Sequence, residues 1–494
     1  MNGPSNTLIP PSPDEARRLR DFFAQAGYTP ENLRDNLGFT DLPSRRLRNL
    51  PRLWDRTSEP TTVHTLLRWF LVGVPIENQK AREFVSEEIT ELFLNCGLVV
   101  EQDEQLAPTV LLMPYDEFLI ASDQTTKFDS PDPSDFVLWP NPTSRLLYRF
   151  AIQRLSRATL DLGTGNGIVA FWAKSHSDRV VASDLNPRAT EFAAFNARLN
   201  GLEGIEFLTG DRFEPVAGQT FDLIVTNPPF FITPSRRHLF CDNSFDLDGL
   251  CRRIVGEAPR YLNEDGYLQM LCEWAEVRGQ PWQERVAGWF EGSGCDAWIM
   301  KGLTQDPSAY AEERIRGTAP DSPEGDAALY AEYMNYYRQR NVEAIHNGLI
   351  AMRRRSGKNW IMVEEGSHTP KDPFGESILQ TFLARDFLQS HASDEDVLAA
   401  RPSLSRHARL EQQLQQVNGA WEQTSLQLRL TKGFPFFVGV QPLVAEFLSH
   451  CDGSHTLEEL TRHLAAKANA SLGQVQKECL EVIRKLIERG FVVT

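Results

Sequence analysis

The chain has 494 residues, 41% hydrophobic and 24% charged, an ordinary composition for a folded soluble protein and too long for one core; about one domain per 150 residues suggests three. It has no run of about 18 apolar residues, which argues against a membrane-spanning helix, and its net charge of −16 argues against affinity built on broad phosphate neutralisation. The seven cysteines are scattered without a CxxC and the ten histidines without ligand spacing, so reduced core thiols and no metal are expected; the opening residues lack the apolar core of a secretory signal, and a cytoplasmic protein is expected.

In chain order, residues 1–118 read as an N-terminal helical module ending in a small β-wing. TVHTLLRWFLVG and AREFVSEEITELFLNCG carry apolar residues at helical spacing, and GLVVEQDEQLAPTVLLMP with DEFLIASD suggests short strands around an acidic turn. A winged-helix-like fold is expected, of a kind that serves DNA in some proteins and protein surfaces in others. Residues 17–56 hold nine arginines against five acids and read as a solvated helical surface.

From 119 to 365 strands alternate with helices: ATLDLGTG, DRVVASDLN, IEFLTGD, FDLIVTN and YLQMLCEW are strand-like, with helical stretches such as PRATEFAAFNARLNG between them. This pattern predicts an α/β, doubly wound parallel sheet with helices on both faces. CDAWIMKG reads as a sixth strand, followed by an insertion at about 303–346 whose tyrosines suggest a packed helical excursion or a lid. GLIAMRRRSGKNWIMVEEG then reads as a hairpin closing the sheet, with Arg353, Arg354 and Arg355 on a charged edge. Residues 366–426 read as a polar helical connector. The last block, 427–494, reads as winged-helix-like: capping boxes at Thr456/Glu459 and Ser471/Gln474 start two helices, and Gly490 stops the second.

The chemistry concentrates at successive strand ends. Asp161-Leu162-Gly163-Thr164-Gly165-Asn166-Gly167 is a strand running into a glycine turn, where backbone can pass close to a nucleotide-like ligand. The spacing DxGxGxG is neither the dinucleotide GxGxxG nor a P-loop. Asp184-Leu185 ends the second strand, where an acid can accept both hydroxyls of a ribose. Asp211, Arg212 and Phe213 follow the third strand, on the side of the ligand's base. The fourth strand stops on Asn227-Pro228-Pro229-Phe230-Phe231; an isolated NPP could be only a strand terminator, but this one completes a series.

Together DLGTGNG, SDLN, GDRF and NPPF, in this order, resemble the class I S-adenosylmethionine-dependent methyltransferases, in the branch with [ND]PP[FY] after the fourth strand. The resemblance spans about residues 136–300. It implies S-adenosylmethionine as cofactor, with Asp161, Gly163, Thr164, Gly165 and Gly167 around its methionine part. Asp184 with Leu185 would lie at the ribose, Asp211 with Arg212 or Phe213 at the adenine, and Asn227 between cofactor and substrate. Asn227, Pro228, Pro229 and Phe230 would form the catalytic site for a planar nitrogen bearing two hydrogens. The Asn227 side-chain oxygen and the Pro228 carbonyl would each accept one N–H, and Phe230 would lie on the flat face.

Two acceptors fit that chemistry. Release-factor glutamine methyltransferases are resembled in SFDLDGLCRRIVGEAPRYLNEDGYLQMLCEW after the motif and in the proline-rich entry WPNPTSRLL before the first strand. The entry departs from theirs at Asn141, which stands at an arginine position, and at Thr143, which stands at the first acid; in the NPPF motif Phe230 stands at a tyrosine. The acidic net charge also suits a protein partner. The paired aromatics of NPPFF are similar instead to methyltransferases of the exocyclic amines of adenine and guanine in RNA or DNA, which require a single-stranded or flipped base. A macromolecular substrate is expected, protein favoured over nucleic acid.

Overall fold

The computed structural model describes residues 7–38, 51–130, 133–318, 323–365, 373–434 and 436–494; residues 39–50, the middle of the arginine-rich stretch, lie outside them. The chain forms two compact units, one of residues 1–148 with 154–367 and a second of residues 149–153 with 368–494. Among the described residues, no helix is long and apolar enough to cross a membrane. All seven cysteines are buried free thiols.

The first unit is built on an eight-stranded sheet: β1 (Ser156–Leu162), β2 (Ser177–Asp184), β3 (Ile205–Thr209), β4 (Phe221–Thr226), β5 (Leu262–Val277), β6 (Cys295–Gln305), β7 (Val342–Arg354) and β8 (Ile361–Glu365), in the spatial order β8-β6-β7-β5-β4-β1-β2-β3. Strands β3, β2, β1, β4 and β5 run parallel. Helices cover the faces, so the central strands are apolar almost without alternation: Leu160, Val180, Val181, Phe221 and Ile224 are fully buried. Helix α1 (Ile168–Lys174) begins at Gly167, whose φ of 93° is left-handed. Helix α2 (Pro187–Leu199) starts where the Asn186 side chain accepts the Arg188 amide, with proline in its first turn.

The expected closing hairpin is not one. Strand β7 enters between β5 and β6, antiparallel to both, while β8 lies parallel on the far side of β6. Arg353 therefore sits on an interior strand rather than a charged edge. It is 1% exposed, stands opposite Asp296 in register, and bonds that buried carboxylate at 2.7 Å. A charge inside the sheet persists because its partner is placed directly across the strand pair. The insertion before it forms helices α3 (Pro307–Thr318) and α4 (Pro323–Gln339), and strand begins at Val342, earlier than the expected limit at 346.

The N-terminal residues fold onto this core. A helix, Pro13–Gln25, opens with a capping box of Ser12 and Glu15. Strands Ile76–Glu77, Gln105–Pro108 and Val99–Gln102 form a small antiparallel sheet, its acidic turn made by Asp103 and Glu104 in left-handed conformations. A hairpin of two buried strands follows, Val110–Tyr115 with Phe118–Asp123. On α2 the Asn196 carboxamide pairs with the amide and carbonyl of Ala121 at 2.8 and 2.9 Å. Asn200 at its end does the same with Leu119 at 2.8 Å each. Two asparagines thus satisfy the hairpin's free edge as a neighbouring strand would. Position 118 falls inside this hairpin, not at a break between compact units.

In the second unit, the span expected as a helical connector holds helices Gly375–Ser390 and Asp394–Ala399, then a long hairpin of Ala408–Val417 and Ala420–Leu430. Its turn is Asn418-Gly419, both at positive φ (50° and 86°), as a two-residue hairpin turn requires. Both of its faces are largely exposed, so no hydrophobic alternation marks the strands. Phe437–Gly439 adds a third strand. Helices Pro442–Ser449, Leu457–Ala468 and Leu472–Glu488 supply the core of this unit, and Ser403–Leu404 pairs with Val492–Val493. The Thr456/Glu459 capping box is formed, whereas Ser471 caps its helix without a side-chain bond; Gln474 bonds Glu478 instead.

Candidate active site at the carboxyl ends of the parallel strands

A cavity of about 690 Å³ opens over the ends of β1, β2, β3 and β4, the position where open α/β sheets bind ligands. Asp161, Gly163, Thr164, Gly165, Asp184, Leu185, Asp211, Arg212, Asn227, Pro228 and Pro229 all line it. Sequence positions spread over 69 residues converge because parallel strands deliver all their ends to one edge. At Gly163 and Gly165, φ is 81° and 55°, and a Cβ on either would point into open space. Their lack of a side chain keeps the backbone strain-free and leaves that side of the cavity open. Gly167 does not line the cavity; a Cβ there would strike the Phe171 ring at 2.6 Å.

The turn is tied to the second strand. Asp184 Oδ2 accepts the Gly165 amide at 2.9 Å and Oδ1 accepts the Asn186 amide at 2.9 Å. Each oxygen keeps a lone pair, so this carboxylate can still receive two hydroxyls. Thr164 donates its hydroxyl to the buried Asp161 at 2.6 Å. Burial pushes the Asp161 carboxyl up to about 7, with the Asp184 charge adding to the rise and the Thr164 bond opposing it. Asp184 is also raised by burial, against three backbone amides. Arg212, in a left-handed conformation with φ of 47°, pairs with Asp211 at 2.5 Å and Glu257 at 3.4 Å.

Two expected ring positions differ. Phe213 is 2% exposed and stacks on Tyr261 at 4.5 Å, facing the core rather than an adenine. Phe230 packs against the core around β4 and β5 and edge-on to Phe231 at 5.7 Å, and it is not among the cavity-lining residues. Other groups take the walls. Phe136, Val137, Leu138 and Trp139 form one side. Their backbone is pinned by Asn166 Nδ2 to the Leu138 carbonyl, Asn186 Nδ2 to the Asp135 carbonyl, and the Val137 amide to Asp123. Phe240, Asn243 and Phe245, from the loop after NPPF, form another. The amides of Asn166 and Asn186 were visible beside the motifs; their targets, far back in the chain, were not.

Residues 141–277 match the family of the methyltransferase small domain, and residues 380–494 match a domain of unknown function, DUF7782. A Methanocaldococcus jannaschii protein assigned as a protein N5-glutamine methyltransferase is 32% identical over 139 residues, 27% of this chain and 70% of that protein. The chain belongs to the S-adenosylmethionine-dependent methyltransferases of class I. The release factor glutamine methyltransferase of Xylella fastidiosa is 34% identical over 158 residues, 28% of this chain and 57% of that enzyme. Ribosomal RNA small subunit methyltransferase C of Alcanivorax borkumensis is 33% identical over 113 residues, 23% of this chain and 31% of that enzyme. The methyltransferase thus spans only about half, or less, of the length of these last two relatives.

The residues present fit S-adenosylmethionine. The space above Gly163 and Gly165 is open, the cavity is of ligand size, and two carboxylates face a cofactor that is a cation at its sulfonium. At the end of β4, Asn227 donates through Nδ2 to the Thr143 hydroxyl at 3.0 Å. The Pro229 carbonyl is taken by Asn243 at 2.7 Å; that of Pro228 receives no donor among the described residues.

The loop that follows is held from outside by the insertion. Tyr310 receives the Ile232 amide at 3.2 Å, and Tyr337 donates to the Ile232 carbonyl at 2.8 Å. Tyr333 bonds the Thr233 hydroxyl at 2.7 Å, and Tyr336 receives the Leu247 amide at 2.9 Å. Tyr310 also donates to the buried Glu273, and the Arg314 guanidinium lies 4.1 Å over the Phe231 ring. Of the two expectations for the insertion, the packed excursion is what forms. The same loop corrects the expectation of no ligand-like cluster: a tight turn brings donor atoms of His238, Cys241 and Asp242 within 4.8 Å of one another. Asp242 there receives the Ser235 hydroxyl and the Arg237 and His238 amides, so it staples the loop.

Proposed function

We propose that the protein transfers the methyl group of S-adenosylmethionine to a planar nitrogen bearing two hydrogens, the carboxamide of a glutamine in a protein substrate. One observation carries this reading: Asn227 and Pro228 share a single cavity with the glycine turn, Asp161 and Asp184. The bound cofactor supplies an electrophilic methyl on a sulfonium. Asp184 receives the ribose hydroxyls, Asp161 and the Gly163–Gly167 turn take the methionine part, and Leu185, Asp211 and Arg212 border the adenine.

The acceptor's lone pair is delocalised into its π-system, which makes it a weak nucleophile. Asn227 Oδ1 accepts one of its N–H groups and the Pro228 carbonyl the other, aiming the nitrogen at the methyl. As the N–CH₃ bond forms, the S–CH₃ bond breaks and its electron pair stays on the sulfur of the departing S-adenosylhomocysteine. The methylated nitrogen releases one proton to solvent; positioning and fixed dipoles supply the rate without a strong base. A protein acceptor is supported by the glutamine methyltransferases among the relatives and by the net charge of −16. Similarity to a ribosomal RNA methyltransferase favours a second reading, methylation of an exocyclic amine of adenine or guanine.

Asn227→Ala tests the acceptor chemistry. Calorimetry is expected to show cofactor affinity within about twofold of wild type, while transfer falls by at least about a hundredfold. Undiminished transfer by Asn227→Ala would remove the basis of the proposal.

A further inference from the structure

An amide side chain is useful as an acceptor only if its oxygen, not its NH₂, faces the substrate. The structure contains a chain of hydrogen bonds that decides this for Asn227. The helix Pro142–Phe150 begins at Asn141, whose Oδ1 receives the backbone amides of Thr143 at 2.9 Å and Ser144 at 3.2 Å. Backbone amides only donate, so that atom is the carbonyl oxygen. The Thr143 hydroxyl lies 2.6 Å from the same oxygen and gives its single proton to it. Thr143 Oγ1 is left with lone pairs alone toward its other neighbour, the Asn227 carboxamide at 3.0 Å. Only the NH₂ end of Asn227 can meet a lone pair. Its Oδ1 end is therefore turned away from Thr143, on a side chain that lines the cavity, and accepts from no group among the described residues.

We infer that Thr143 is a positioning residue for methyl transfer: with its proton committed to Asn141, it acts as an acceptor that fixes the Asn227 carboxamide with its oxygen toward the nitrogen to be methylated. The inference rests on the reading of Asn227 as the group that holds the acceptor. A flipped carboxamide would present NH₂ to NH₂, donor against donor, and the acceptor nitrogen would lose its alignment. The two departures of the entry segment are then one device. An acid at position 143 can only accept when ionised. A threonine becomes such an acceptor only when a neighbour takes its proton, and Asn141 is that neighbour.

The test uses the full chain, methyl-labelled S-adenosylmethionine, and an extract of cells lacking the protein as the source of acceptors. Thr143 is exposed, so its replacement leaves the fold intact. Thr143→Val, equal in shape but without the hydroxyl, is expected to lower the initial labelling rate about tenfold or more with calorimetric cofactor affinity unchanged. Thr143→Ser, which keeps the relay, is expected to stay within about twofold of wild type. In protein labelled with ¹⁵N only at asparagine, the Asn227 NH₂ resonances are expected to show slowed proton exchange in wild type and Thr143→Ser and to lose it in Thr143→Val. Wild-type labelling by Thr143→Val, or Thr143→Ser as slow as Thr143→Val, would overturn the inference. Asn227→Ala separates the two levels. If it is inactive while Thr143→Val is not, only the relay falls; if it too labels at the wild-type rate, the reading of Asn227 falls and the relay with it.

Discussion

Asp161 carries the sharpest prediction at the scale of single residues. Its carboxyl is fully buried beneath the glycine turn and raised to about 7, so near neutrality the ligand-free protein holds it partly protonated. A cationic cofactor favours the carboxylate, and binding below pH 7 therefore expels a proton. Cofactor affinity is expected to rise with pH by up to about tenfold per unit between pH 5 and 7 and then to level off. The sign for stability is opposite: a carboxyl raised above its unfolded value weakens the ligand-free fold as pH rises from about 4 toward 7. Calorimetry across pH on wild type and Asp161→Asn checks this; a flat profile in wild type, or a slope surviving in Asp161→Asn, would contradict it. Asp161, Asp184 and Asn227 were legible in the sequence because parallel strands must deliver their ends to one edge. Phe213 and Phe230 were not, since the facing of a ring depends on partners such as Tyr261, 48 residues away in the chain.

At the scale of elements, helices α3 and α4 brace the loop that follows NPPF. Tyrosine hydroxyls satisfy both backbone groups of Ile232 and hold Thr233 and Leu247, fixing the segment that carries Phe240, Asn243 and Phe245 to the cavity. Tyr337→Phe leaves the Ile232 carbonyl without its donor, a cost of about 1–2 kcal/mol. Amide exchange of residues 230–247 is expected to quicken about tenfold, with slower transfer and unchanged cofactor affinity; unaltered exchange would show that the insertion does not hold the loop. The sequence showed the tyrosines but not what they hold, because their targets lie about a hundred residues earlier. It also misled at β7. Three arginines suggested an edge, and only the tertiary pairing of Arg353 with Asp296 makes an interior position tolerable. The Ala408–Val417 hairpin announced itself only through Asn418-Gly419, since its exposed faces leave no apolar period to read.

At the scale of the molecule, the candidate site lies within one unit, and its wall depends on residues before the sheet. Asp123, which ends the hairpin strand held by Asn196 and Asn200, accepts the Val137 amide at 2.7 Å, so residues before the sheet help to build the cavity wall. The second unit matches a domain of unknown function and has its own core. The central claim is that the methyl group goes to a protein glutamine. The most direct measurement incubates the full chain with methyl-labelled S-adenosylmethionine and an extract of cells lacking the protein, with Asn227→Ala as blank. One half of the sample is treated with protease, the other with nuclease, and the labelled amino acid is identified after digestion. Label that is lost to protease, survives nuclease and appears as N5-methylglutamine is the predicted result; label lost to nuclease and retained through protease would contradict the account.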